Sequence, residues 1–519
     1  MTRVSRSWLI VFLVAMAGAA VILAIVTAAV PFSSENARRR LAEVLSSRLD
    51  AEVEIQALRW HVFPSPSAEG TGVTIRHHGR RDVPPLISIA RFFATGSVAS
   101  LLRRHISRIT ISGLDIQIPP DRNHDGGQTV ESDRHGDNDA RTLVIDDLLS
   151  SDAHLSIIPD EPGRDPKVWS IHRLHMTSVG FDRAMPYEAV LTNALPPGEI
   201  TTHGSFGPWQ KEEPGLTPLD GAFAFDHADL GVFKGISGIL SSQGTFGGRL
   251  NRLDVHGDTD VPNFALSTAG HPVPLKTTYH AIVDGTNGNT MLERIDATLL
   301  NTSFVAAGGV IGHHGQEGRT VTLDVKMAKG RLEDVLALAV NSAKPPMTGS
   351  MRLDTKLLLP PGEEDVVRKL RLNGHFVVAD TRFSDLDVQE KINELSHRSR
   401  GRKPETPKQR VASRFTGAFS LARGTLTLPD ISFDVPGSTV RLAGNYDLQP
   451  ETLAFRGTLL MDAKVSDTQT GVKHLLLKIV DPLFKRDGGG SAIPIRITGT
   501  RTDPSFGLDK GRVFNRKVE

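Results

Sequence analysis

Apolar residues alternate with polar ones along most of the chain after Glu52, the period expected of strands that bury one face. Val53 and Ile55, with Ala57 next in phase, open the pattern, and Val73 with Ile75 and Ile87 with Ile89 repeat it. Ile109, Ile111, Leu114, Ile116 and Ile118 carry it further, and the step of three across Gly113 predicts a bulge. The alternation is clearest near the C-terminus. There Ile431, Phe433 and Val435 interleave with Ser432 and Asp434, and Ile493, Ile495 and Ile497 recur with Arg496 and Thr498 on the other face. Turn-forming Gly, Pro, Asn and Asp separate these runs, which predicts on the order of twenty-five strands. The expected fold class is mainly β and largely antiparallel.

A few stretches change period. Leu332, Val335, Leu336 and Ala339 fall on one helical stripe after Gly330. Val388, Ile392 and Leu395 form a second, running into the basic string 397–403, and Val472, Leu475, Leu476, Ile479 and Val480 form a third that Pro482 stops. A helix with one apolar stripe covers a sheet face or the end of a groove. Nearer the N-terminus, Ala37, Leu41, Val44, Leu45 and Leu49 share a face, with Arg38, Arg39 and Arg40 at the start. Such a helix either rests on lipid headgroups, making those arginines membrane-surface candidates, or closes one end of the β domain. The narrow stripe favours docking.

Residues Trp8–Val30 contain no charge and a single hydroxyl, Thr27. At 1.5 Å per residue this stretch reaches about 34 Å, enough for a hydrocarbon core of roughly 30 Å. Thr27-Ala28-Ala29 resembles a signal-peptidase site, but the apolar run exceeds the usual 7–15 residues of a cleaved leader, so a retained transmembrane helix is expected. Arg3 and Arg6 before the span and Arg38–Arg40 after it leave the orientation open on charge alone. The expected organisation is an N-terminal tail 1–7, a transmembrane helix 8–30 and an amphipathic helix 31–50. An N-terminal β region 51–119, an acidic loop 120–141, a central β region 142–397, a basic loop 398–410 and a C-terminal β region 411–519 follow. The acidic stretch carries too little apolar surface to order itself.

Composition mainly excludes. Sixty basic against 59 acidic residues give a net charge of +1, so no global field draws nucleic acid. With no cysteine the chain has no disulfide, thiolate metal site or thiol nucleophile, which suits an oxidising compartment. The glycine and proline counts, 48 and 31, match a turn-rich chain.

Catalytic and metal motifs are sparse. Asp121-Arg-Asn123-His-Asp125-Gly126 opens like a calcium loop, yet the twelfth position is Ser132, where a bidentate carboxylate belongs. Nineteen histidines include His77-His78 and His313-His314, but adjacent residues on a strand face opposite ways and no HExxH occurs, so scattered surface histidines are expected. Asp146 and Asp147 are expected on opposite faces for the same reason. Gly488-Gly489-Gly490 lacks the Lys-Ser/Thr of a phosphate loop. No catalytic residue, metal ligand or cofactor is nominated, and the chain is read as a non-enzyme.

The order of the parts resembles the AsmA-like family of bacterial envelope proteins. The likeness begins with the membrane helix, the short helix, Val53-Glu-Ile55, Leu58-Arg-Trp60, Leu86-Ile-Ser-Ile89 and Ser100-Leu-Leu102-Arg-Arg-His-Ile106. It continues through Ala306-Ala-Gly-Gly-Val310, Val321-Thr-Leu-Asp-Val325 and Gly330-Arg-Leu332-Glu-Asp334-Val-Leu336. It ends with Phe415-Thr-Gly417, Val435-Pro-Gly437, Leu442-Ala-Gly444, Phe455-Arg-Gly457, Ile493-Pro-Ile495-Arg-Ile497-Thr-Gly499 and Asp503-Pro504. The acidic insert from Asp121 to Asp139 departs from the pattern.

The resemblance implies an inner-membrane, single-pass protein with its large C-terminal domain in the periplasm. It implies an elongated, curved sheet forming a groove with a few capping helices. It also implies phospholipid as partner, carried between inner and outer membrane in support of outer-membrane biogenesis. Ile431, Phe433, Val435, Ile493, Ile495 and Ile497 are the groove candidates, although an ordinary core predicts the same alternation. The competing expectation is a scaffold or assembly factor that binds other envelope or outer-membrane proteins by strand addition. A secreted hydrolase would need a compact pocket that no motif marks.

Overall fold

The computed structural model describes residues 34–49, 51–61, 66–77, 84–97, 100, 105–118, 144–157, 167–180, 182–210, 213–267, 271–313, 318–342, 344–384, 413–462 and 491–509. The expected membrane span 8–30, the calcium-like loop, the acidic and basic loops, the helical stripes at 388–395 and 472–480 and the glycine run 488–490 lie outside them. Among the described residues no helix is long and apolar enough to cross a membrane.

The alternation does produce a mainly β molecule: among the described residues there are twenty-four strands, most of them paired antiparallel, and three α-helices. The chain divides into two compact units. The first comprises Met1–Asp229, Leu240–Asp258 and His280–Thr290, and the second Leu230–Ile239, Thr259–Tyr279 and Met291–Glu519.

In the first unit, β1 (Ala51–His61), β2 (Ser67–His77), β3 (Ile87–Thr95) and β4 (His105–Ile118) form an antiparallel meander. β5 (Val144–Ile157) then runs parallel to β4, while β6 (Lys167–Val179), β7 (Met185–Thr192), β8 (Glu199–Phe206) and β9 (Pro218–Asp229) resume antiparallel order. Parallel neighbours need a crossover instead of a hairpin, and the acidic stretch 120–141 falls at that connection. Helix α1 (Ser34–Leu49) lies along β1. Its Ser46 Oγ accepts a hydrogen bond from Val53 N at 3.0 Å, and Arg38 Nη1 donates to Ile55 O at 2.6 Å. Leu41 and Leu45 enter a core with Ile55, Ile75, Ile87, Ile109 and Ile145, all essentially inaccessible. The helical stripe therefore serves the core, as the docking reading expected.

Gly113 is not a bulge that shifts pairing. The register between β3 and β4 passes it without a slip, because Ser112 and Gly113 both turn away from the core between buried Ile111 and Leu114. Gly113 reaches this with φ +61°, a conformation glycine adopts freely. The same double step places Gln56 and Ala57 outward in β1, so Leu58 takes the core position that simple alternation assigned to Ala57. It also overturns the expectation for Asp146 and Asp147. They are not split between faces: both lie outward between buried Ile145 and Leu148, beside a matching step at Ser107 and Arg108.

The second unit contains β15 (Thr302–Gly312), β16 (Arg319–Arg331), β17 (Met347–Leu359), β18 (Arg371–Phe383), β19 (Arg414–Ala422), β20 (Thr425–Val435), β21 (Ser438–Asp447), β22 (Thr452–Met461), β23 (Ser491–Thr500) and β24 (Pro504–Leu508). Each pairs antiparallel with the next. Helix α2 (Leu332–Ala339) appears where its stripe predicted, with Val335 and Leu336 packed on the apolar cluster of this unit. Its Asp334 is buried: one carboxylate oxygen accepts from Thr302 Oγ1 at 2.7 Å and from Asn301 N at 3.1 Å. Helix α3 (Val366–Lys369) was not anticipated; Asp365 caps it by accepting from Val367 N and Arg368 N.

Candidate functional site

Antiparallel registers carry the alternation from strand to strand, so directly paired residues share a face. In the second unit this builds a continuous row across nine strands: Met327, Leu353, Phe376, Gly417, Ile431, Leu442, Gly457, Ile495 and Leu508. Beside it runs Gly330, Met351, Val378, Phe415, Phe433, Val440, Leu459 and Ile493. On the other flank Leu428, Gly444, Phe455, Ile497 and Phe506 form a third row. Apart from four glycines, the three rows contain apolar side chains only. The intervening positions present Arg352, Asp354, Lys356, His375, Arg441, Arg456 and Arg496 to the opposite face.

Of the six groove candidates, Ile431 and Phe433 lie in adjacent rows with Ile495 and Ile493, and Ile497 lies in the third. Val435, buried, follows in phase and pairs with Ser438. Ile431, Phe433 and Val435 are buried, whereas Ile493, Ile495 and Ile497 keep intermediate exposure. Alternation found these six but missed their partners Phe376, Phe415, Val440 and Leu459. Glycines interrupt those runs, and only the cross-strand register shows that Gly417 and Gly457 stand in the same rows.

The face is graded. Phe376 and Phe415 meet tilted, with ring centroids 5.0 Å apart, and Phe433 sits 5.8 Å from Phe383 and 6.4 Å from Phe415. Leu353, opposite Phe376, and Leu442, Leu453 and Ile497 are only partly buried. At β24, Phe506 and Leu508 are 67% and 50% exposed. Burial pushes the Tyr446 phenol above its ordinary pKa, and the nearby Glu451 carboxylate adds to the shift. Arg501 closes this end with Nε 3.0 Å from Glu451 Oε1 and Nη2 donating to Asn341 O at 2.9 Å.

The membrane-surface candidates lie on α1 in the first unit. Arg38 and Arg39 both bridge to Glu35, at 2.6 and 3.2 Å, and Arg40 is exposed. The bond from Arg38 is the main cause that holds the Glu35 carboxyl below its usual pKa. Asp146 and Asp147 engage separate partners: Asp146 lies 2.9 Å from His105, and Asp147 is held between His175 and Arg108 at 3.1 and 3.2 Å. Of the two histidine pairs, His313 meets Thr320 Oγ1 at 3.0 Å, and His78 and His314 lie outside the described residues. One clustering escaped the sequence reading. Asp254 and His256 share a strand face and His280 joins them from a neighbouring strand; the Asp-x-His spacing was its only signal.

No protein-family model, curated protein or solved structure matches this chain.

Proposed function

We propose that this is a membrane-tethered, AsmA-like envelope protein whose second unit shields phospholipid acyl chains against the apolar face of β16–β24, with its large domain in the periplasm. The observation that carries the reading is the run of apolar rows graded from buried Met351, Val378 and Ile431 through partly exposed Val440, Leu442, Leu459 and Ile495 to exposed Phe506 and Leu508, backed by a charged face. A closed core hides such residues completely, as the first unit does with Ile55, Ile75 and Ile109. The partly exposed stretch of the rows across β21–β24 is suited instead to a ligand without directional bonds. The elongated, curved groove and the passage of phospholipid between inner and outer membrane extend this reading to the whole protein.

The energetics fit carriage. Drawing a two-chain lipid of about 30 methylenes into water costs roughly 24 kcal/mol at about 0.8 kcal/mol for each. Moving the same chains from a bilayer to an apolar protein face is nearly neutral, so such a face lowers the barrier without trapping the lipid. Eight interstrand steps of about 4.8 Å give the row a path of roughly 38 Å. The test is lipid extraction and mass spectrometry of protein purified in a detergent that lipids can survive. Phospholipid is expected at near-stoichiometric amounts and should fall several-fold in a Leu442→Asp, Ile495→Asp double variant that remains folded by circular dichroism. Equal lipid in both proteins would overturn the proposal.

A second reading rests on β24. All five of its residues are exposed, and among the described residues it pairs with β23 alone. An open edge carrying Phe506 and Leu508 suits a scaffold that adds a strand from an outer-membrane assembly partner. Lipid-free protein that still captures such a partner through β24 would select this reading.

A further inference from the structure

Outside the apolar face, the first unit holds a cluster that the lipid reading does not use. β12 (Arg252–Leu266) presents Asp254 and His256, two residues apart and so on one face, and β13 (Val273–Val283) presents His280. Both imidazoles point Nε2 at the same carboxylate oxygen: His256 Nε2 lies 2.9 Å from Asp254 Oδ1, and His280 Nε2 lies 3.1 Å from it. The two rings stack with centroids 4.3 Å apart and planes 11° from parallel. One ligand atom from each residue falls within 4.8 Å of the others.

We propose that Asp254, His256 and His280 form a binding site for a borderline divalent cation, zinc foremost. Two imidazole nitrogens and one carboxylate oxygen are the donor set zinc accepts, and the fourth position would take water. Tetrahedral zinc at about 2.0–2.2 Å from each donor requires donor separations of about 3.3 Å, so small side-chain rotations close the present cluster around an ion. The donors are partly exposed, which admits ion and water, and two separate strands already bring them within 4.8 Å of one another. Oxygen-preferring calcium and magnesium are disfavoured, because two of the three donors are nitrogen. A bound ion would tie β12 to β13 through their side chains.

The experiment titrates zinc into the full chain, purified in detergent without a histidine tag, against a chromophoric chelator. It compares wild type with His256→Ala, His280→Ala, the double variant and Asp254→Asn. His203→Ala, an exposed histidine on β8, is the control. One equivalent is expected to be lost in the double variant, and each single variant should bind that equivalent about tenfold more weakly or worse, since removing even groups that only orient a ligand costs that much. Cobalt in place of zinc should give the intense visible bands of a tetrahedral site in wild type and not in the double variant. Circular dichroism should be unchanged, because the three side chains are not core residues. Equal stoichiometry in wild type and double variant, or a loss equalled by His203→Ala, would overturn the proposal and leave the three residues as a surface hydrogen-bond cluster.

Discussion

Gly457 is where the apolar face is most sensitive to a single atom. A Cβ there would collide with the carbonyl of Arg441 on the neighbouring strand. Gly457→Ala should therefore destabilise the second unit by about 1–3 kcal/mol, the usual effect of overpacking, read as a lower thermal midpoint. Asp147 makes a different prediction. Its hydrogen bond to His175 and then that to Arg108 hold its carboxyl below the ordinary value. A depressed carboxyl stabilises the fold above its unfolded pKa of about 3.9 and loses that contribution as pH falls through the lower folded value. Asp147→Asn should then lower the thermal midpoint at neutral pH, and the gap from wild type should close in acid below that window. A gap independent of pH would show that packing, not charge, is what Asp147 supplies.

At the scale of elements, α1 decides what the N-terminal part of the domain rests on. Leu45 is completely buried, so Leu45→Ala should cost about 2–5 kcal/mol and loosen the helix from β1. Arg40→Ala, at an exposed position, should change stability by no more than about 0.5 kcal/mol. Hydrogen exchange of the Val53 amide, which Ser46 Oγ accepts, reports the loosening directly. These elements also show where sequence reading succeeds. The stripes at Leu41 and Leu45 and at Val335 and Leu336 named two helices, and alternation named most strands, because each pattern is local. What it could not supply was phase. The double outward steps at Gln56, Ser107, Ser112 and Asp146 shift the buried face by one residue while pairing continues, and only partner strands show this. The candidate face was half legible for the same reason: Ile431 and Ile495 stand out in their own strands, but Gly417 and Gly457 join their row only through register. The cluster of Asp254, His256 and His280 depends on two strands meeting and left almost no local trace.

At the scale of the molecule, the chain contrasts two uses of the same period-two code. Beside α1 the apolar face of the first unit is sealed, with Ile55, Ile75 and Ile109 essentially inaccessible; in the second, nine strands carry apolar rows that run from buried Val378 to partly accessible Leu442 and Ile495, backed by arginines, lysines and acids. Whether lipid occupies those rows is tested most directly by photocrosslinking in membranes from two neighbouring positions on β21. Leu442 stands in the apolar row and Arg441 faces the other way. A photoreactive amino acid at Leu442 is expected to yield phospholipid adducts, and the same group at Arg441 essentially none. Adducts at neither position, or equal yields from both, would contradict an acyl-chain face.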